Sequence, residues 1–278
     1  TKRPNIIVFS GAFHGRTLMT MSMTSKKAYA VGMGPFPDGV YRAQFPYYYR
    51  NPEGMPQEAA LDYYLNSIKD VFEQCGPADS IAAIVVQPLQ GEGGFIPAPI
   101  EWVKAVRKIC DENGILLVAD EVQTGFCRTG RMFATQYWEE AGVQPDILAT
   151  AKSIAAALKT IEIMERDDLA GRSCEIGEKV SKRFNEWKEK YPVIGDVHGL
   201  GGMIGLEFVK DQKSKEPYPE FSAAVISGCA KKGLMIEGAG TYGNVIRFLA
   251  PLVMTDEQLE AGLDIYESVI KELLEKGL

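Results

Sequence analysis

Two residues of this chain, Asp120 and Lys152, are of types and in settings that could together activate an amine. Asp120 closes the run Ile115-Leu-Leu-Val-Ala-Asp120, which continues Glu121-Val-Gln-Thr-Gly125. Residues 115–119 read as a short apolar strand, so the carboxylates appear where a buried strand leaves a sheet. In open α/β sheets, ligands bind outside those strand ends. Lys152 follows a second strand-like stretch, Asp146-Ile-Leu-Ala-Thr-Ala-Lys152. A lysine desolvated there would act as a nucleophile and then as a proton shuttle. Pyridoxal phosphate needs such a lysine for its Schiff base and an acid beside its pyridinium nitrogen. Each residue also has a plain structural reading: an acid after a strand caps the next helix, and a lysine is solvated surface. Asp120 and Glu121 are adjacent, so on a strand they point to opposite faces. They are not a paired acid/base dyad; one can face a ligand while the other faces structure.

Arg16 and Arg247 are the second chemical signal. Arg16 lies in Ser10-Gly-Ala-Phe-His-Gly-Arg-Thr17, after the first strand candidate. Arg247 lies inside the apolar stretch Asn244-Val-Ile-Arg-Phe-Leu-Ala-Pro251. A buried arginine needs a partner. Two planar guanidinium forks would suit a substrate with two carboxylates, and internal salt bridges are the alternative. Glu92, in Gln90-Gly-Glu-Gly-Gly94, is the natural partner for Arg247, and its glycine flanks predict close backbone approach.

The elements that must position these residues alternate through the first half. Strands are predicted at 5–9, 81–87, 115–119 and 146–150, and helices at 56–75, 100–113 and 131–142. Gly114 falls just past the second helix as a C-cap. Apolar strands alternating with helices predict an α/β domain with a mainly parallel sheet covered on both faces. The Tyr-, Pro- and Gly-rich stretch 27–57 reads as a long surface excursion. After Lys159 the character changes to α+β, with a helix over 156–190, strands at 203–209, 233–237 and 244–249, and helices at 219–231 and 255–276. Thr255-Asp-Glu-Gln258 is a capping-box signature. The expected division is a large domain at 1–158 and a smaller C-terminal domain at 159–278. The glycines of Gly199-Leu-Gly-Gly-Met-Ile-Gly205 lack dinucleotide-loop spacing and precede a strand, so they read as a tight turn.

Composition narrows the function classes. Of 278 residues, 46% are hydrophobic and 24% charged, ordinary for a globular chain. A net charge of -7 argues against a nucleic-acid partner. No apolar run approaches the roughly 20 residues of a membrane span. Five scattered cysteines without C-x-x-C spacing fit reduced thiols and a cytoplasmic setting. Two histidines make a histidine metal site unexpected.

Taken together, five segments resemble the class III aminotransferases of fold type I, especially 4-aminobutyrate aminotransferases. They are F-H-G-R-T (13–17), Q-P-L-Q-G-E-G-G-F (87–95), A-D-E-V-Q-T-G-F-C-R-T-G (119–130), P-D-I-L-A-T-A-K-S-I-A (145–155) and V-I-R-F-L-A-P-L (245–252), in the family's order. The resemblance implies pyridoxal phosphate as cofactor, an amino acid and a 2-oxo acid as substrates, and a homodimer or dimer of dimers. It implies Lys152 as the Schiff-base lysine and Asp120 as the partner of the pyridinium nitrogen. Gln123 would bond the ring hydroxyl, Phe13 and Val122 would flank the ring, and His14 joins the cofactor-binding set. Arg247 would grip an α-carboxylate and Arg16 the distal one, with Glu92 as a gate over Arg247. The implied reaction carries an amino group from an ω-amino acid, 4-aminobutyrate first, to 2-oxoglutarate in two half-reactions. Ornithine or N-acetylornithine transamination, or a catalytically silent interaction protein, are the alternatives.

Three departures stand out. The family's phosphate-holding Gly-Ser/Thr turn would precede Thr1. After Ala155 the family's G-G-x-P-L stretch is missing, and the chain runs into a segment that resembles a later helix, so an internal stretch is expected to be absent. Gln87 stands where the family usually has glutamate, which removes a charge near the site.

Overall fold

The computed structural model describes residues 1–150 and 154–278, with side chains described outside 151–157. The chain divides into two compact units. Unit 1 comprises Thr1–Glu92, Pro97–Gly125 and Phe133–Ala156; unit 2 comprises Gly93–Ile96, Phe126–Met132 and Ala157–Leu278.

In chain order, unit 1 begins with β1 (Asn5–Phe9), α1 (Leu18–Met23), α2 (Lys27–Ala30), β2 (Val40–Ala43), α3 (Gln57–Gln74) and β3 (Ile81–Val86). Two short strands follow, β4 (Leu89–Gln90) and β5 (Ile96–Pro97), then α4 (Ile100–Asn113), β6 (Leu116–Asp120), α5 (Thr135–Glu140) and β7 (Ile147–Ala149). The main sheet runs β2-β1-β3-β6-β7. Every pairing in it is parallel. Central β3, Ile-Ala-Ala-Ile-Val-Val, is apolar throughout because both its faces are buried. Helix α4 buries Trp102, Val103, Val106 and Cys110 on one stripe and ends at Gly114, whose φ of 60° is the left-handed cap. The Trp102 ring packs edge-on against Phe9, 4.9 Å away. Parallel pairing brings the C-terminal ends of β1, β3, β6 and β7 to one edge of the sheet, the edge from which the motif residues emerge. The start of β7 is pinned by Asp146, whose Oδ2 accepts from the Leu117 N–H at 2.7 Å and from Arg107 at 2.7 Å. Burial pushes the Asp146 carboxyl up, but Arg107 and the Leu117 amide outweigh it and hold it below the usual range.

Glu121, the residue after β6, is fully buried. Its carboxylate accepts from the Thr135 N–H at 2.6 Å, the Ala134 N–H at 3.1 Å and the Thr124 hydroxyl. Glu121 thus ties the end of β6 to the start of α5, while Asp120 faces the other way. The helix expected over 131–142 is confined to Thr135–Glu140, and this carboxylate takes up the amides at its start. The excursion expected at 27–57 contains β2, an edge strand held to β1. Its Arg42 reaches back to the carbonyls of Ser22, Met23 and Thr24 at 3.0–3.1 Å.

Unit 2 contains α6 (Ile154–Arg166) from Ala157 onward, α7 (Leu169–Lys190), β8 (Ile194–Leu200), β9 (Met203–Phe208), α8 (Pro219–Lys231), β10 (Glu237–Ala239), β11 (Val245–Phe248) and α9 (Asp256–Glu275). Its sheet, β10-β11-β9-β8, is antiparallel throughout. The helix expected over 156–190 is two helices. It breaks at Asp168, which adopts φ 43° and caps α7 by accepting from the Gly171 N–H. The strand expected at 233–237 begins only at Glu237, since Gly233 turns the chain at φ 85°. The tight turn expected around Gly199–Gly205 is the β8–β9 hairpin, with Leu200 opposite Met203. The Thr255/Gln258 capping box forms as read. Phe184, Trp187 and Tyr266 pack edge to face or tilted at 5.0–5.7 Å in the core. In the loop beyond Glu92, the Gly94 carbonyl accepts from His198 Nε2 at 2.6 Å, and Nδ1 of the same ring lies 3.0 Å from Asp196 Oδ2. A Cβ at Gly205 would sit 2.6 Å from that carbonyl oxygen and 2.8 Å from Nε2. No described helix is long and apolar enough to cross a membrane.

Glu121→Ala leaves two amides and a hydroxyl unsatisfied in the interior. It is expected to cost about 3 kcal/mol, read as a lower denaturant midpoint at unchanged slope. Thr124→Val, which removes one donor, should cost less.

Candidate active site

The site is assembled where the parallel strands of unit 1 end. The loop after β1 carries Phe13, His14 and Arg16. The segment after β3 carries Gln87 and Glu92, and the end of β6 carries Asp120, Val122 and Gln123. In the sheet, β1 and β6 lie on either side of β3. His14 crosses that gap: its Nδ1 is 2.7 Å from Asp120 Oδ2, with the histidine side chain 2% exposed and the carboxylate 12%. The other oxygen, Oδ1, accepts from the Val122 N–H at 3.1 Å. The carboxylate is therefore fixed in orientation before any ligand arrives. The opposite ring nitrogen, His14 Nε2, is buried with no partner among the described residues.

Side chains that are not obvious from the sequence hold this loop. The His14 N–H donates to Thr24 Oγ1 at 3.0 Å, and the same hydroxyl lies 3.0 Å from the Gly15 carbonyl. Gln87 bonds both backbone groups of Phe13, and Gln90 bonds the Ser10 carbonyl. Gln123 lies directly over Gly91, where a Cβ would come 1.5 Å from its Oε1. The glycine flank read from the sequence as close backbone approach therefore serves Gln123. Val122 is exposed.

Arg16 is exposed and makes no ion pair among the described residues. Its guanidinium stacks over Tyr29 at 4.5 Å and lies 5.9 Å from the Phe13 ring. Phe13 and Tyr29 meet edge to face at 5.2 Å. Glu92 Oε2 accepts from Lys26 Nζ and from the Tyr29 hydroxyl, each at 3.0 Å. In unit 2, Arg247 meets the need for a partner through Glu237, at 2.6 Å across the β10–β11 ladder. Nothing in the Lys-Lys-Ala-Tyr run at 26–29 singles out Lys26 and Tyr29 as site residues. Lys152 lies outside the described residues, beyond β7, the strand next to β6.

Comparison with known proteins decides what this arrangement belongs to. The family described as Aminotransferase class-III matches residues 1–158 and again 153–270. The chain belongs to the class III aminotransferases. It is 39% identical to a probable 4-aminobutyrate aminotransferase of Bacillus subtilis, over 98% of this chain and 70% of that protein. It is likewise 39% identical to the 5-aminovalerate aminotransferase DavT of Pseudomonas putida, with the same coverage. Among solved structures it superposes on an amine transaminase from an uncultivated Pseudomonas species in its PLP-bound form. That match has a TM-score of 0.87 at 26% identity, over 97% of this chain and 70% of that one. The class III aminotransferase is thus a pyridoxal-phosphate enzyme of the α/β, fold type I kind, exchanging an amino group between an amino acid and an oxo acid. The alignment to the Bacillus relative spans 307 positions, more than the 278 of this chain. The two family matches overlap at 153–158. That seam falls where the sequence departs from the family pattern after Ala155.

The described residues fit the cofactor. A pre-oriented carboxylate suits a ring nitrogen, and Gln123 over a bare Gly91 offers an amide beside it. Gly91→Ala should displace Gln123 and weaken pyridoxal phosphate binding about tenfold, the effect of one lost neutral hydrogen bond. Gln123→Ala should do the same, and the pair together no more than either alone, as read by cofactor titration.

Proposed function

We propose that this aminotransferase moves the amino group of an ω-amino acid, 4-aminobutyrate or its homologue 5-aminovalerate, to 2-oxoglutarate. The observation that carries this reading is Arg16. An exposed guanidinium without an ion-pair partner among the described residues, stacked on Tyr29, stands on the same short loop as the histidine that holds Asp120. A carboxylate bound there lies at a fixed distance along the chain from the cofactor end of the site, as a substrate with a terminal acid group requires. The names of the Bacillus and Pseudomonas relatives support the same substrate class.

Pyridoxal phosphate, when bound, supplies an electron sink for the carbon that loses a proton. In this reading Asp120, held by His14 and the Val122 amide, would face the ring nitrogen. Gln123 donates to or accepts from the ring hydroxyl. Phe13 and Val122 would flank the two ring faces. Lys152 would hold the cofactor through its amine and serve as the proton carrier of the site. Arg247 receives the α-carboxylate of the dicarboxylic substrate, Arg16 the distal one, and Glu92 decides when Arg247 is available. Residues 1–158 form the cofactor domain and 159–278 the smaller domain.

Lys152→Ala is expected to abolish transamination with the circular dichroism of the wild type intact. Turnover within tenfold of wild type would contradict the assignment. Arg247→Ala should slow the glutamate half-reaction more than the 4-aminobutyrate one in single-turnover measurements; equal losses would remove the switch role of Glu92. Half-reactions with ornithine and N-acetylornithine should be slower than with 4-aminobutyrate. A protein that stays colourless with added cofactor would overturn the whole reading in favour of a silent one.

A further inference from the structure

We propose that Gln87 is a positioning residue for the cofactor site, a proton-independent clamp on the backbone of Phe13. Gln87 follows β3, the strand between those that carry His14 and Asp120. Its side chain is 6% exposed. Nε2 donates to the Phe13 carbonyl at 3.0 Å, and Oε1 accepts from the Phe13 N–H at 3.1 Å. One carboxamide thus replaces the two bonds that a neighbouring strand would give this residue. Three positions on, Gln90 Nε2 donates to the Ser10 carbonyl at 2.7 Å. Its Oε1 would lie only 2.4 Å from a Cβ at Gly11, which adopts φ 80°. The loop from Ser10 to His14 is therefore hung on two glutamines at i and i+3, and its ends are what place the Phe13 ring and bring His14 to Asp120.

The clamp needs a donor and an acceptor on one planar end group. An ionised glutamate could still accept from the Phe13 N–H, but its second oxygen would face the Phe13 carbonyl, acceptor against acceptor. A protonated glutamate would restore both bonds. In the segments that resemble the family, glutamate is the usual residue here. Gln87 does more than remove a charge: it makes the loop's anchorage independent of pH.

The inference rests on the proposed cofactor site only in its second readout. Gln87→Met and Gln87→Glu would be compared with wild type from about pH 5.5 to about pH 8.5, with thermal melting as the folding control. The first readout is amide-exchange protection of Phe13 without added cofactor; the second is affinity for pyridoxal phosphate by absorbance titration. Gln87→Met should lower both about tenfold at every pH. For Gln87→Glu the bonded form is the neutral one, so its folded-state titration is raised. Its contribution is present below the unfolded carboxyl value and lost as pH rises through the folded one. Gln87→Glu should therefore approach wild type at the acid end and fall toward the Gln87→Met level, without reaching it, at the alkaline end. His14 on the loop, Asp120 and Glu121 after β6, Lys26 and Glu92 beyond α1 and β4, and Arg42 on β2 are common to all three proteins. The difference from wild type consequently isolates position 87.

A pH-independent Gln87→Glu difference, or full Phe13 protection in Gln87→Met, would overturn the clamp. Phe13 protection that responds while cofactor affinity does not would overturn the positioning role. If the exchange pattern holds but no protein, wild type included, takes up cofactor, the clamp stands and the proposed function fails.

Discussion

A histidine and an aspartate held 2.7 Å apart across an intervening strand set the geometry at the C-terminal edge of the parallel sheet. Nothing in β1 or β6 alone could bring them together, because the two strands are never neighbours in the sheet. The contact requires a loop that leaves β1, passes over the end of β3 and stops above β6. Such a loop has no ladder of its own, and each of its backbone groups must find a partner or stay wet. Gln87, Gln90 and Thr24 supply those partners from side chains. The burial of His14 then keeps water from competing for Asp120, which strengthens the pair. The carboxylate so held is fixed in direction by two donors.

Two consecutive acids, Asp120 and Glu121, divide the labour at the end of β6. The pleat turns one toward the ligand edge and the other into the interior. Glu121 is satisfied wholly by donors of its own chain, two of them the amides of the α5 cap residue and first turn, Ala134 and Thr135. A buried carboxylate with three donors is tolerable where a lone one is not. The strand end is thereby fastened from beneath while Asp120 is oriented from above. Val122 and Gln123, the next residues, inherit their placement from both.

What was legible in the sequence was mostly what local patterns encode. The apolar run of β3 is buried on both faces, and those of β1 and β6 are buried or half-buried throughout, so their composition announces them. The α4 stripe with Gly114 behind it, and the Thr255/Gln258 box, are short-range signals that tertiary contacts did not overrule. Strand β2, four residues with Arg42 in it, lay hidden in a stretch of turn formers because only its pairing with β1 makes it a strand. Strand β8, Ile-Gly-Asp-Val-His-Gly-Leu, reads as loop for the same reason, its glycines and charges being tolerated by β9 alongside. The break at Asp168 depends on one side-chain cap inside a segment of helix formers. At the site, the motif residues could be named from the sequence because their chemistry is distinctive. Gln90, Thr24 and Tyr29 could not, and Gln87 could be named only as a departure from the family pattern, since their roles are contacts across 10 to 80 residues of chain.

The crowding at His198 bears on how this chain can change over time. Gly94, His198 and Gly205 occupy one small space: the ring donates to one glycine's carbonyl while the other glycine's missing side chain leaves room for both. Any side chain at 205 evicts the ring, and a smaller residue at 198 leaves the Gly94 carbonyl without its donor. Single steps at any of the three are therefore penalised, while a concerted exchange is open. Descendants of this sequence should vary at these positions together or keep them unchanged together, so that substitutions separated by more than a hundred residues are inherited as a unit.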